Sequence, residues 1–181
     1  SFREYVQLDK ENQTTSEIKE KLSLYLIRGG YPETLMKDVL IEEYLSTLFN
    51  SVIYKDIVKR YKIRNAKEIE ELAFYLLSNI ANEYSYNNLT KVTKIKSSHT
   101  TRKYLGYLEE SFIFFSLSKF SYKVKEQLSS NKKIYCIDNG FIQAKAFKFS
   151  PDIGRLYENL VAIELRKGEF EGKLKTYYWK N

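Results

Sequence analysis

YSYNNLTKVTKIKSSHTTRKYLGYLEESFIFFSLSKFSYKVKEQLSSNKKIYCID, residues 84–138, is the stretch whose reading decides the fold. Asn87 or Asn88 can cap a short helix through Leu89, Val92 and Ile95, and Ser97 or Ser98 can cap the next one. On that next helix Thr101, Leu105, Leu108 and Phe112 form an inward stripe at helical spacing. Ile113, Phe115 and Leu117 then alternate as in a half-buried strand. A lysine-bearing turn leads to a closing strand in KKIYCID. Helix, helix, hairpin is the order of a winged helix-turn-helix, whose second helix reads a DNA groove and whose hairpin is the wing.

The face opposite the stripe carries Ser98, His99, Thr100, Arg102, Lys103 and Tyr107. Arg forks onto guanine, Ser and Thr at a helix start hold phosphate, and Lys neutralises the backbone. The alternative is a solvated helix face in a protein-interaction winged helix. Lys119, Lys123, Lys125, Lys132 and Lys133 decorate the wing's turn and return. Contact of about four of these with phosphate gives a log–log salt slope of roughly −3.6. Phe120 and Tyr122 at the tip either stack on bases or pack under the wing, and packing is the favoured reading.

The distribution of charge supports a polyanion partner more than the total of +7 does. Residues 86–150 hold twelve Lys and Arg against four Asp and Glu, or +8, whereas residues 1–85 come to −2 and residues 151–181 to +1. Such clustering is the electrostatic footprint that DNA requires. Lys-rich surfaces also serve solubility alone.

Composition excludes several chemistries. Cys136 is the single cysteine, so neither an intramolecular disulfide nor a thiolate zinc site can form. His99 is the single histidine, which leaves nothing from which to assemble a His triad or a multi-His metal site. No apolar run approaches the roughly 18 residues of a membrane span, and SFREYV opens without a signal-peptide pattern. A cytoplasmic, non-membrane protein is expected. The chain has no Gly-x-x-x-x-Gly-Lys-Ser/Thr, so ATP hydrolysis is not expected as its own activity, nor any cofactor of its own.

Before the central stretch, Thr14 and Glu17 have capping-box spacing and open a helix over about Ser16–Ile27, which Gly29, Gly30 and Pro32 end. A second helix is expected from about Asp38 to Tyr61, and Asn65 with Glu68 opens a third through Ile69, Leu72, Leu76 and Ile80. After it, Ser150–Pro151–Asp152 restarts the chain. Gly154–Lys167 reads as a helix and Leu174–Trp179 as a strand.

The run SFREY, GGYPE, YLSTLFNSVIYKDIVKRYKIRN, LLSNIANEYSYNNL, TTRKYLGYLEES, KKIYCIDNGF, GRLYENLVAIEL and YYWKN resembles the region after the P-loop domain in a family of archaeal and bacterial AAA+-like ATPases. The likeness runs through essentially the whole chain, in order. In that family the ATPase core is followed by a helical lid, a winged helix and a PD-(D/E)XK nuclease-like domain. The resemblance implies an α+β, mainly α chain: a lid-like region over residues 1–64, a winged helix over 65–138 and the start of the nuclease-like domain over 139–181.

The resemblance also assigns roles. Gly30, Tyr31 and Pro32 in GGYPE are similar to a lid motif whose proline lies against adenine, which requires the ATPase core. Glu158 holds the place of the acidic residue on the first nuclease-like helix. The remaining metal ligands would lie beyond YYWKN, so Glu158 is at most a remnant of a site, because such a Mg²⁺ takes carboxylates from separate elements. ATP and Mg²⁺ would belong to the parent protein. The expectation is a non-catalytic part of an ATPase that binds DNA. The alternative is a protein-interaction and nucleotide-lid module docking on the ATPase core or a partner subunit.

Overall fold

The computed structural model describes residues 1–8, 13–36, 40–146 and 152–180. Among them the chain is α+β and mainly helical: α1 (Phe2–Gln7), α2 (Thr15–Arg28), α3 (Pro32–Met36), α4 (Ile41–Ser51), α5 (Ala66–Ser78), β1 (Glu83–Tyr84), α6 (Tyr86–Thr93), α7 (Ser98–Glu110), β2 (Phe114–Ser118), α8 (Val124–Ser129), β3 (Lys132–Cys136), α9 (Asn139–Lys145) and α10 (Ile153–Phe170). The expected helix start at Asp38, the Ser150–Pro151 break and Asn181 lie outside the described residues.

Local chemistry sets the early elements. Thr14 and Glu17 close the capping box: the Thr14 hydroxyl accepts the Glu17 N–H, and the Glu17 carboxylate accepts the Thr14 N–H at 2.7 Å. Gly29 ends α2 at φ +79, where a Cβ would fall 1.9 Å from an oxygen of Asp138, so only glycine fits. The second helix departs from the expected regular winding. After α4 it continues without a break as a π-helix, Val52–Lys59, and the Ile63 N–H still reaches back five residues to the Val58 carbonyl at 3.0 Å. Ile53 and Ile57 are its buried anchors.

From α5 to β3 the order is helix, strand, helix, helix, strand, helix, strand, with sheet order β1-β3-β2 and antiparallel pairing throughout, the arrangement of a winged helix with a short helix added in the wing. The register runs from Phe114 opposite Cys136 to Ser118 opposite Lys132. Three details correct the sequence reading. Ser85, not Asn87 or Asn88, caps α6, accepting the Asn88 N–H at 3.2 Å. Phe112 leaves the inward stripe and is 64% exposed: at φ +57 it turns the chain out of α7, and buried Ile113 takes the inward place. The wing is no plain hairpin, because α8 lies between its strands. The strand expected over Leu174–Trp179 reduces to one parallel bridge, Tyr178 with Lys119.

The larger of two apolar clusters takes Leu45 and Phe49 from α4, Leu72 and Leu76 from α5, Leu105 and Leu108 from α7, Phe114 from β2, Phe141 from α9 and Ala162 from α10, and the smaller joins Tyr25 and Leu26 of α2 to Leu156 and Leu160 of α10. All three expected regions therefore contribute to one core. Two polar ties run through it. Fully buried Asn159 of α10 accepts the Cys136 N–H at 2.8 Å and donates to the Cys136 carbonyl at 2.9 Å and to Asn139 Oδ1 at 2.8 Å. Asp138, also buried, accepts the N–H groups of Gly140 and Gly30, each at 2.7 Å, and so ties the GGYPE turn to the end of β3. Cys136 between these ties is wholly buried and free of any disulfide.

Candidate nucleic-acid interface

The α6–turn–α7 unit is fixed by short polar contacts. Lys94 ends α6 in the left-handed conformation, Ile95 buries the turn, and Ser97 opens α7 by accepting the Thr100 N–H at 3.1 Å. Between the two helices the Thr90 and Thr101 hydroxyls share a hydrogen bond of 2.8 Å. Leu89, Leu105 and Leu108 fill the apolar side. With this face held, the opposite face of α7 is left to solvent.

The structure brings most of the expected α7 residues together. Ser98, His99, Arg102 and Lys103 are exposed on the first turns of the helix, and Thr100 is half-buried beside its hydroxyl contact with Ser97 at 3.0 Å. A cavity of about 420 Å³ opens between the starts of α6 and α7, lined by Ser85, Tyr86, Asn87, Ser98, His99 and Arg102. The Arg102 guanidinium lies 4.4 Å from the centre of the Tyr86 ring. That ring stands edge-on to buried Tyr84 at 5.8 Å. Sequence reading missed Tyr86 as the support of Arg102.

Tyr107 is spent differently. It is half-buried and stacks on Tyr61, centroids 3.6 Å apart and planes 9° from parallel. Tyr61 in turn donates its hydroxyl to Glu110 at 2.5 Å, a bond that raises the phenol above its ordinary range. Tyr107 thus joins α7 to the end of the π-helix, and the contact surface of α7 narrows to its first two turns.

Of the wing lysines, Lys119, Lys125 and Lys132 make no ion pair among the described residues, whereas Lys123 pairs with Glu126 at 3.1 Å. Lys133 turns to the other side of the sheet's end, donating to Glu158 of α10 at 2.8 Å; the Tyr135 hydroxyl donates to the same carboxylate oxygen at 2.8 Å. Burial and that bond push the Tyr135 phenol up. Glu158 is therefore held in a β3–α10 clasp. No three His, Cys, Asp or Glu side chains gather as metal ligands would among the described residues.

The GGYPE residues are largely committed inside the chain. The Gly30 N–H serves Asp138, and the Tyr31 ring packs on Phe141 at 5.3 Å with its phenol pushed up by burial. Only Pro32 of the three is exposed. No helix among the described residues is long and apolar enough to cross a membrane.

The chain thus sets a helix-turn-helix against a three-stranded antiparallel sheet, with Arg102 and Lys103 exposed on the first turns of the second helix. The chain belongs to a family described as a domain of unknown function, DUF8612, whose model matches residues 19–152. It is 34% identical over 171 residues to an uncharacterized protein of Methanocaldococcus jannaschii, covering 91% of this chain and 38% of that protein. It is 28% identical over 174 residues to an uncharacterized protein of Haemophilus influenzae, covering 93% of this chain and 44% of that one. The chain thus spans less than half the length of these relatives. No solved structure is significantly similar to it.

Proposed function

We propose that the chain binds duplex DNA through the first turns of α7, with the wing lysines on the backbone, as a non-catalytic part of a longer P-loop ATPase of the cytoplasm. The observation that carries this reading is the exposed set Ser98, His99 and Arg102 lining the α6–α7 cavity, with exposed Lys103 next to Arg102 on α7, in the segment that holds the charge of +8. Arg102 rests on Tyr86 rather than on a carboxylate, so its donors remain available to a base edge or phosphate. The ATPase connection rests on the sequence resemblance, and the greater length of the relatives leaves room for such a core.

A salt titration with duplex DNA tests the reading. Binding at low salt should weaken with a log–log slope of about −4.5, roughly 0.9 for each of Arg102, Lys103, Lys119, Lys125 and Lys132, and replacing both Arg102 and Lys103 by Ala should lower that slope by roughly two while weakening affinity. No binding at low salt, or binding unchanged by the double replacement, overturns it.

A second reading is favoured by one observation. An apolar groove of about 730 Å³ lies between α1, α2 and α10, lined by Phe2, Val6, Ile18, Leu22, Val161 and Leu165 among others. A surface of this kind suits a docking role toward the rest of a longer protein or a partner subunit. That reading predicts that a polypeptide, and not DNA, competes for the chain.

A further inference from the structure

Beyond α7 the molecule carries a second surface that neither the winged helix nor its core requires. The backbone of Phe120 donates to the Tyr178 carbonyl at 2.9 Å, and the Tyr178 N–H donates to Ser118 at 3.1 Å, which lays the last described residues along the end of β2. Phe120 then becomes the hub of an aromatic cluster: Tyr122 at 5.0 Å and 80°, Trp179 at 5.7 Å and Tyr177 at 5.9 Å. Phe120 packs, in keeping with the favoured sequence reading. Tyr122 does not: it is 90% exposed, and Trp179 is 67% exposed.

The surroundings of these rings indicate what covers them. A cavity of about 340 Å³ beside them is bordered by Lys119, Glu126, Ser129, Ser130 and Lys180 as well as the rings. Lys125 is exposed nearby in sequence on α8. Lys180 leans on Glu83 at 2.7 Å and Lys123 on Glu126 at 3.1 Å, while Lys119, Lys125 and Lys132 make no ion pair among the described residues. Protein interfaces gather aromatics but are depleted in lysine. Aromatic rings bordered by lysines are the makeup of a surface on which unpaired bases stack while the cations follow the phosphates.

We propose that Tyr122 and Trp179, backed by Phe120, form a stacking platform for unpaired nucleobases, so that the preferred ligand is DNA in which a duplex adjoins a single strand. This rests on the reading of α7 as the duplex contact. Charge complementarity selects the occupant, and the edge-to-face support from Phe120 holds the Tyr122 ring up to receive a base.

Trp179 is the chain's single tryptophan, so its fluorescence reports on the platform directly. The test compares a blunt duplex with the same duplex bearing a dT tail of about ten nucleotides. The tail should quench Trp179 emission and tighten binding by about fivefold or more. Tyr122→Ala should cut that gain, and Tyr122→Phe, which keeps the ring, should retain it. A blunt duplex that binds while the tail brings neither quenching nor gain overturns the inference and leaves the α7 reading standing. Absence of binding to both DNAs overturns the two together.

Discussion

Asp138 joins the GGYPE turn to the end of β3 across 108 residues of sequence. Burial pushes its carboxyl up to about 6, against the lowering effect of the Gly30 and Gly140 amides. A folded-state value above the unfolded one, near 4, means that its contribution to stability is full below that lower value and is lost as pH rises through 6. The stability of the natural chain relative to Asp138→Asn should therefore fall between pH 4 and pH 7.5, as denaturant unfolding at several pH values would show. Asp138→Ala leaves two inward N–H groups without an acceptor and should cost about 2–4 kcal/mol. Composition and spacing gave no hint of this carboxylate, because its partner Gly30 is 108 residues away. The same blindness hid Tyr86 under Arg102 and Tyr61 against Tyr107, contacts that exist only once the helices have packed.

At the scale of elements, what was readable was what is locally encoded. The second helix of the motif was legible because Ser97 caps it and Thr101, Leu105 and Leu108 repeat on one face, all within four turns. The cap at Asn65 had the right spacing, yet the Asn65 side chain makes no cap bond and instead donates to Glu68 at 3.0 Å. Ser97→Ala should thus cost about 1 kcal/mol, whereas Asn65→Ala should stay within about 0.5 kcal/mol. Thermal melts of the two single variants check the contrast. The short helices α8 and α9 escaped the sequence reading for opposite reasons. Helix α8 buries no residue and has no stripe to detect. Helix α9 is capped by Asp138 and anchored by Phe141, whose ring meets Tyr31 and Phe49 from elements far back in the chain. The π-helical winding of Val52–Lys59 was likewise invisible, since Ile53 and Ile57 keep a spacing that an ordinary helix would also satisfy.

For the whole molecule, the shared apolar cluster and the Asn159 and Asp138 ties predict that residues expected to form three regions unfold together. Cys136 offers the means to check it. Its thiol sits at zero exposure where β3, α9 and α10 meet, and burial pushes it up, so a thiol reagent has neither access nor thiolate while the fold is closed. Alkylation should follow the same denaturant dependence as the loss of helical signal; labelling well ahead of that loss would show that the α10 end opens by itself. Because it is the chain's single cysteine, every labelled molecule records one opening event at one known place. The protein carries, in an otherwise inert side chain, a counter for how often its core lets the solvent in.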